Sequence, residues 1–532
     1  MAKLVLNNDV TQLERAKPGA CGRTLLERAN PGAHGKPLLE RALRAIALAI
    51  LIAVAPNAIA EPLASPGDLQ LRHDLQLLND SGAINVPLTA WPVALGDIQW
   101  AIEEADDRTM SESARAAFER VREHVSWGLD TGIVNYRFGV SGSENPRIIR
   151  TFESTPRDEG ELNASLSWLG ERFVVNLSAS YVANPFDDDE FRPDGTYIGA
   201  ALGNWMLTAG WQDRWWGPGR DGSLILSSNA RPTPGIAIQR NVSTPFETKW
   251  LSWMGPWTLT SFMTELDDER TINDALLFGV RVSFRPPKTG LEIGFSRSAQ
   301  WCGDDRPCDG DAFLDLLVGN DNRGVNVEAE DEPGNQLGGI DIRWTLPKTI
   351  PVALYMQWIG EDGRGGGGAI GSWMRQLGAE YWGTIGSLSH RTHLEVSDSM
   401  CREGGFGLSN RKPDCAYEHG IYKTGYRYEG RAIGHSADGD SLSYSIGSTL
   451  VQSAGHLWSI SLRYMEINRE GEPATRHTLT PTQQDLTDLQ VSHERYTRFG
   501  RFYAGIGYSE LDDKATDNTD SDVTAFIQWS SR

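Results

Sequence analysis

The sequence predicts an all-β protein, a transmembrane antiparallel β-barrel with a short N-terminal helical segment. Three observations predict this fold. From Gly132 onward, apolar and polar residues alternate along stretches of roughly ten residues, which is the length of a strand that crosses a bilayer. These stretches follow one another without interleaved helices, and aromatic residues often stand at their ends. In such a barrel, apolar side chains face lipid, polar side chains face the lumen, and aromatic girdles mark the interfaces.

The alternation itself is clearest in five stretches. They are Phe173–Tyr181 (FVVNLSASY), Phe278–Arg285 (FGVRVSFR), Ile340–Thr345 (IDIRWT), Trp458–Tyr464 (WSISLRY) and Val523–Trp529 (VTAFIQW). A half-buried sheet in a soluble sandwich alternates in the same way. The length of the strands and the aromatic residues at their ends favour the barrel over the sandwich. A closed sheet also pairs every backbone polar group inside a bilayer. We count roughly 16 to 19 strands.

Residues 1–60 predict a leader that ends in a secretory signal peptide. Two arginines precede the uncharged run AIALAILIAVAPNAIA, and its small residues predict cleavage after Ala60. The run is shorter than the ~20 residues of a bilayer-spanning helix; a short hydrophobic anchor is the alternative. Residues 1–40 contain a tandem repeat, LERAKPGACGRTL and LERANPGAHGKPL, and we set them aside as a candidate misassigned start.

Residues 61–128 predict a periplasmic segment of three short helices, ahead of a barrel at 129–532. Ser65–Asp68 (SPGD) resembles a capping box before an apolar pattern that stops at Gly82. Two more patterns of period 3.6 follow, and the second begins at Ser111. Helices this short cover one another only in part, so we expect them to pack on a larger body.

The charge argues against nucleic acid as a partner. The chain carries 50 Lys and Arg against 71 Asp and Glu, a net charge of -21. Residues 1–60 hold eight basic and four acidic residues, a net +4, so the remainder carries -25. Binding to phosphates needs clustered Lys and Arg, whereas an acidic surface resists nonspecific association.

The cysteines predict two local disulfides. Cys21 falls in the leader, which leaves Cys302 near Cys308 and Cys401 near Cys415. Four cysteines in an exported chain, paired by proximity, indicate disulfides formed in an oxidising compartment. A zinc site is the alternative, but no His or Cys stands at CxxC spacing.

No catalytic residues, metal site or cofactor are predicted. Gly434–Gly439 misses the G-x-S-x-G nucleophile elbow by one residue, and His493–Thr497 lacks the second histidine of a zinc motif. The acidic clusters Asp187–Glu190, Asp267–Glu269 and Asp517–Asp522 lack the glycine and closing glutamate of an EF-hand. We predict that these clusters are solvated loops.

The stretch DRWWGPGRDGSLILSSNARP, Asp213–Pro232, is the candidate glycan-binding site. Its candidate residues are Arg214, Trp215, Trp216, Arg220 and Asn229. Sugar rings stack their CH faces on tryptophan, and their hydroxyls and carboxylates bind polar and cationic side chains. In the alternative interpretation, the tryptophans belong to an interfacial girdle and one of the two arginines lines the lumen. We expect the stretch to form a strand, a turn and a second strand of the barrel.

Four stretches resemble the Wzi-type capsule assembly proteins, outer-membrane lectins that hold capsular polysaccharide on Gram-negative cells. They are Leu71–Pro92 (LRHDLQLLNDSGAINVPLTAWP), Asp213–Pro232, Leu291–Cys308 (LEIGFSRSAQWCGDDRPC) and Pro351–Gly363 (PVALYMQWIGEDG). The resemblance implies an 18-stranded barrel with a periplasmic helical segment, and nonenzymatic binding of exported polysaccharide. Which sugar is bound does not follow from it.

The sequence therefore predicts a nonenzymatic outer-membrane lectin that anchors capsular or other exopolysaccharide at the cell surface. Its predicted partners are this polysaccharide, outer-membrane lipid and lipopolysaccharide, and the barrel assembly machinery during biogenesis; we expect a monomer. A porin or a specific channel for sugars or small anionic solutes is the alternative, suggested by four arginines predicted to face the lumen: Arg281, Arg285, Arg343 and Arg463. A barrel hydrolase is a third hypothesis and needs a Ser or His pair at one rim.

Overall fold

The computed structural model describes residues 61–267, 270–318, 334–347, 350–362, 370–403, 409–469 and 477–531. Over these residues the chain forms a closed antiparallel β-barrel of 18 strands, as predicted. The last strand pairs with the first, for example Ser530 with Gly139 and Phe526 with Ser143, and this pairing closes the sheet. The predicted leader lies outside the described residues.

The strands are numbered along the chain. They are β1 Val134–Glu144, β2 Gly160–Leu169, β3 Phe173–Ala183, β4 Tyr197–Leu202, β5 Trp205–Trp211, β6 Pro234–Arg240, β7 Trp257–Glu265, β8 Leu276–Phe284, β9 Leu291–Trp301, β10 Gly334–Thr345, β11 Val352–Asp362, β12 Ile370–Ile385, β13 Leu388–Glu403, β14 Leu442–Gln452, β15 Leu457–Ile467, β16 Gln484–Thr497, β17 Gly500–Asp513 and β18 Asn518–Ser530. Two-residue strands, Phe191–Arg192 and Arg411–Lys412, also pair with the wall.

The barrel wall shows the predicted alternation. On β3, the side chains of Phe173, Leu177 and Tyr181 point outward and are 60%, 49% and 44% exposed, whereas Val174 is buried. The stretch at Trp458 on β15 behaves in the same way. Because outward-facing side chains of a membrane barrel contact lipid, exposure of large apolar groups costs nothing there.

The two ends of the barrel differ in their connections. At the short-turn end, strands are joined by turns such as 170–172 and 386–387, and β1 begins and β18 ends there. At the long-loop end, the connections include 145–159, 212–233 and 404–441. Outer-membrane barrels generally have short periplasmic turns and longer extracellular loops.

Three helices pack at the short-turn end: α1 Leu69–Ser81, α2 Leu95–Glu103 and α3 Glu112–Gly128. Helix α1 begins after Asp68, whose side chain accepts a hydrogen bond from the backbone N–H of Leu71 at 2.8 Å, and ends at Gly82 in the left-handed conformation. Ser111 caps α3 as predicted.

Helix α1 lies inside the mouth of the barrel, so every side chain from Gln70 to Asp80 is buried. His73 Nε2 lies 2.8 Å from Ser389 Oγ at the start of β13. Helix α3 closes over α1 through Arg120, which donates two hydrogen bonds of 2.7 Å to the carboxylate of Asp74. The expectation that the helices pack on a larger body is confirmed.

A fourth helix, α4 Gly310–Val318, packs on the outside of the wall near the long-loop end. Its Phe313 contacts Phe278 edge-on at 5.3 Å. None of the helices in the described part of the chain is both long and apolar enough to span a bilayer.

Candidate functional site

The candidate stretch 213–232 does not form two strands of the wall, so that prediction is wrong. After β5 the chain leaves the wall and folds into the lumen. There Trp215 and Trp216 pair, antiparallel, with Trp91 and Ala90 of the N-terminal segment. The physical reason is that the apolar residues of the stretch are buried against protein and not against lipid.

Trp215 and Trp216 are both 0% exposed and belong to two different cores. Trp215 packs with the N-terminal helices and meets Phe152 edge-on, with ring centroids 5.4 Å apart. Trp216 packs with the lumen loops and lies 5.3 Å from the inward-facing ring of Phe262 on β7. The girdle interpretation of these tryptophans is therefore wrong, because neither ring reaches lipid.

The turn after the tryptophans requires glycine because the chain passes close to the wall. Gly217 has φ 138°, and a Cβ there would lie 2.6 Å from Gln357 Nε2 on β11. Gln357 uses that amide nitrogen to donate to the backbone carbonyl of Trp216 at 2.9 Å. The Gly-Pro-Gly turn thus brings the chain against β11, inside the barrel.

The three polar candidate residues are also buried. Arg214 lies over the ring of Phe262, with 4.5 Å between Cζ and the ring centroid. Asn229 Nδ2 donates to the backbone carbonyl of Ala432 at 2.9 Å. Arg220 Nη2 donates to Gln76 Oε1 at 2.7 Å, which joins the stretch to α1. The alternative interpretation placed one of the two arginines in the lumen, and both lie there.

A buried cluster of ion pairs connects this stretch, α1 and the wall. Glu380 on β12 accepts hydrogen bonds from Arg220, from Arg343 at 2.6 Å and from Arg391 at 2.9 Å. Asp80 of α1 accepts from Arg343 at 2.7 and 2.9 Å and lies 2.8 Å from Arg391. Since each charge has a partner, the cluster avoids the large cost of an unpaired buried charge.

The four arginines predicted to face the lumen do so, and each is paired with a carboxylate. The pairs are Arg281 with Asp341, Arg285 with Glu292, Arg343 with Asp80 and Glu380, and Arg463 with Asp221 and Asp488. Asp80 and Asp221 belong to the segments that fill the lumen. Arg343 and Arg463 therefore attach the filling to the wall, and the four arginines do not form an unpaired cationic lining.

A second loop, 409–441, folds inward and packs on the candidate stretch. Ser227 N–H donates to the carbonyl of Ile433 at 3.0 Å, and the hydroxyl of Tyr417 donates to the carbonyl of Leu224 at 2.7 Å. His435 lies beside Gly222, and burial lowers the pKa of this histidine to about 4, so it is neutral at physiological pH. The two loops form one apolar core inside the barrel.

Both predicted disulfides are formed. Cys302 pairs with Cys308 after β9, and Cys401 on β13 pairs with Cys415 of the inward loop. Cys401 and Cys415 are buried in the lumen core. The second disulfide therefore attaches the inward loop to the wall.

The cluster Asp187–Glu190 is not simply a solvated loop, because the carboxylate of Asp187 is buried. It accepts hydrogen bonds from Arg192 at 2.6 Å and from Arg231 at 3.0 Å. Carboxylate oxygens of Asp187, Asp189 and Glu429 lie within 4.8 Å of one another. Arg231 also donates to Asp189 at 2.7 Å, so arginine already neutralises most of this cluster.

A polar cavity of about 160 Å³ remains between the candidate stretch and the wall. Arg150 and Arg157 line it, and both donate to backbone carbonyls: Arg150 to Thr155 at 2.9 Å and Arg157 to Ser228 at 2.9 Å. Burial raises the pKa of Asp213, which also lines the cavity. The cavity offers donors and acceptors together, as sugar hydroxyls require. Sequence reasoning missed these arginines because loop 145–159 has no periodic pattern.

The comparisons with known proteins agree with this architecture. A family model of the capsule assembly protein Wzi matches residues 130–523. The chain is 31% identical over 326 residues to an "Uncharacterized 55.8 kDa protein in cps region" of Klebsiella pneumoniae, and the match covers 60% of this chain but only 62% of that relative.

Among solved structures, Wzi of Escherichia coli is similar over most of both chains. It is described as a carbohydrate-binding β-barrel of the outer membrane involved in group 1 capsule assembly, and it aligns with a TM-score of 0.74 and 27% identity over 88% of this chain and 98% of that chain. A BenF-like porin from Pseudomonas fluorescens aligns with a TM-score of only 0.40 and 12% identity. The chain belongs to the Wzi family of capsule assembly proteins and is an outer-membrane protein.

Proposed function

We propose that this barrel is a nonenzymatic lectin that binds exported capsular or other exopolysaccharide and anchors it at the cell surface. The observation that carries the proposal is the filled lumen. Helix α1, the candidate stretch and the second inward loop occupy the interior. Buried ion pairs attach α1 and the candidate stretch to the wall, and the Cys401–Cys415 disulfide attaches the loop. A filled barrel offers an ordered outer surface for a polymer and not a path through the membrane.

The polymer would bind across the long-loop end, which faces the exterior in outer-membrane barrels. The polar cavity lined by Arg150, Arg157 and Asp213 lies under the loops of this end and is the most suitable place for a sugar unit. Direct stacking of sugar on Trp215 or Trp216 stays a prediction. Their burial supports an indirect contribution, in which they fix the shape of the loops that meet the polymer.

Deletion of the gene in the host tests this proposal. We expect cells that lack the protein to lose surface polysaccharide and to shed polymer into the medium. Complementation with the intact chain should restore the coat. A deletion strain that keeps its full coat, with no polymer in the medium, would contradict the anchoring role.

The channel alternative predicts a different behaviour. A porin needs an open, water-filled lumen, whereas here Asp80 and Asp221 of the filling segments are paired with Arg343 and Arg463 of the wall. In planar bilayers we expect the purified protein to conduct far less than an open porin of similar strand number. Stable, open-porin conductance would favour the channel over the lectin.

A further inference from the structure

The connection between β6 and β7, residues 241–256, carries an exposed apolar surface that glycan binding does not explain. We propose that residues 246–254 insert into the lipid leaflet at the short-turn end and anchor the barrel there. The occupant of this surface is phospholipid, at the level of the headgroups and upper acyl chains. This anchoring does not depend on polysaccharide binding.

The exposure of this segment is unusual within the part of the chain that the structure describes. Trp250 is 88% exposed, more than any other large apolar side chain in that part, and Trp253 and Leu251 are 58% and 40% exposed. Tryptophan is enriched where proteins meet the membrane–water interface, because its ring is apolar and its N–H is polar. Lys249 stands beside Trp250 and is suited to lipid phosphates.

The surface is continuous with the lipid-facing wall. Trp253 meets Phe284 edge-on, with ring centroids 5.7 Å apart, and Phe284 stacks with Phe295 at 6.4 Å. Phe295 points outward on β9 and is 50% exposed. Because Phe284 ends β8 at the short-turn end, the segment lies against the outside of the barrel at the level where an aromatic girdle meets lipid.

The segment has an ordered backbone. Ser252 N–H donates to the carbonyl of Thr248 at 2.9 Å, and Met254 N–H donates to the carbonyl of Leu251 at 3.0 Å. These bonds form a compact turn with both tryptophans near its tip. An ordered turn loses little conformational entropy when it enters the interface.

The base of the connection is attached to the rest of the protein. Phe246 stacks on Trp257 at 4.4 Å, nearly parallel. Asp97 of α2 accepts hydrogen bonds from the backbone N–H and the hydroxyl of Ser243, both at 2.8 Å. The anchor would therefore fix α2, and with it the helices in the barrel mouth, relative to the membrane.

The length of the connection also favours this role. It runs from 241 to 256, whereas other connections at the same end, such as 203–204 and 285–290, are much shorter. Joining β6 to β7 requires only a short turn, because neighbouring antiparallel strands lie side by side. The additional residues place the two tryptophans on the wall.

Fluorine NMR of the intact protein tests the anchor. The protein is labelled with 5-fluorotryptophan and reconstituted in phospholipid vesicles, and Trp250→Phe and Trp253→Phe identify the two resonances. The broadening of each fluorine resonance is then measured with two paramagnetic agents. One is phospholipid that carries a nitroxide near the headgroup, and the other is a water-soluble gadolinium chelate. Lipid-facing Trp458 is the positive control, and buried Trp216, which neither agent reaches, is the negative control.

We expect the lipid-borne nitroxide to broaden Trp250 and Trp253 at least as strongly as Trp458, and the chelate to broaden them weakly. Strong broadening by the chelate, with none from the lipid, would overturn the proposal. Protection from both agents would also overturn it, because it would show that protein covers the surface, either a second copy or another partner.

Discussion

The wall and the lumen of this barrel are stabilised in different ways. On the wall, apolar side chains such as Leu177 and Leu462 face lipid, and strands pair with their neighbours in sequence. In the lumen, charged residues such as Asp80 and Glu380 come from distant parts of the chain and are almost completely buried. Many apolar residues would suit a wall position, whereas each lumen charge needs a particular partner. The features that distinguish this barrel from an open one therefore lie in its filling.

The largest expected effect is at Glu380. Glu380→Ala removes the carboxylate that Arg220, Arg343 and Arg391 share, and it leaves buried positive charge with too few partners. We expect the free energy of unfolding to fall by about 3–5 kcal/mol, measured by urea unfolding of the reconstituted barrel.

The matched control is Glu119→Ala, which removes an exposed partner of Arg122 on α3. A pair at the protein surface contributes up to about 1 kcal/mol. Equal losses for the two variants would mean that the lumen cluster does not stabilise the filling.

The next largest effect is the loss of stability when a buried tryptophan is replaced, compared with the loss at a tryptophan on the wall. Trp215→Ala leaves a cavity where a fully buried ring packed against Phe152, and we expect a loss of about 3–4 kcal/mol. Trp458→Ala on the wall changes a ring that is 44% exposed to lipid, so its cost should be clearly smaller. Thermal unfolding of both variants measures the difference. A larger loss at Trp458 would contradict the comparison between wall and lumen.

Removal of the disulfide that reaches the lumen core should destabilise the protein more than removal of the other disulfide. The Cys401–Cys415 bond closes a loop of sequence separation 14 into the lumen core, whereas Cys302–Cys308 has separation 6. Loop-closure entropy predicts losses of about 3 and about 2 kcal/mol for the paired Cys→Ser variants. Limited proteolysis should cut 409–441 faster only in the Cys401→Ser, Cys415→Ser variant. Unchanged cleavage would show that the inward loop does not depend on its disulfide.

An effect similar in size to those of the disulfides is a pH dependence at the contact of α2 with the connection 241–256. Burial raises the pKa of Asp97 to about 6, from an ordinary value of 3.8, although its hydrogen bonds from Ser243 oppose the shift. Because the folded state binds this proton more tightly, its stabilisation is complete below about pH 4 and is lost as the pH rises through about 6.

The expected size is about 2–3 kcal/mol between these pH values. Asp97→Asn should remove this part of the pH dependence, and hydrogen exchange of α2 amides measures it. Identical pH profiles for the two proteins would contradict the assignment. Asp74 has a pKa that burial raises in the same direction, so the difference between the two profiles is the relevant quantity.

The wall could be predicted from sequence because its signal is local. Alternation placed Arg281 and Arg343 on the inward face correctly, and Ser111 and Gly82 marked helix ends. Their partners could not be predicted in this way. Asp341 lies 60 residues from Arg281, and Asp80 lies 263 residues from Arg343, so only the closed fold brings them together.

The environment of the candidate stretch could also be predicted only in part. Its tryptophans and Leu224–Leu226 indicate burial in an apolar environment, but the pattern does not distinguish lipid from a protein core. The tryptophans lie in a protein core because they pair with Ala90–Trp91, more than a hundred residues earlier in the chain. The exposure of Trp250 could not be predicted either, because a single residue in a loop belongs to no periodic pattern.

The most direct test of the central claim is binding of the purified, reconstituted barrel to the host's own surface polysaccharide. We predict saturable binding to this polymer and none to an unrelated neutral polymer. Trp215→Ala should weaken binding together with stability, because it loosens the loops under the long-loop end. Absence of binding by a correctly folded barrel would contradict the account.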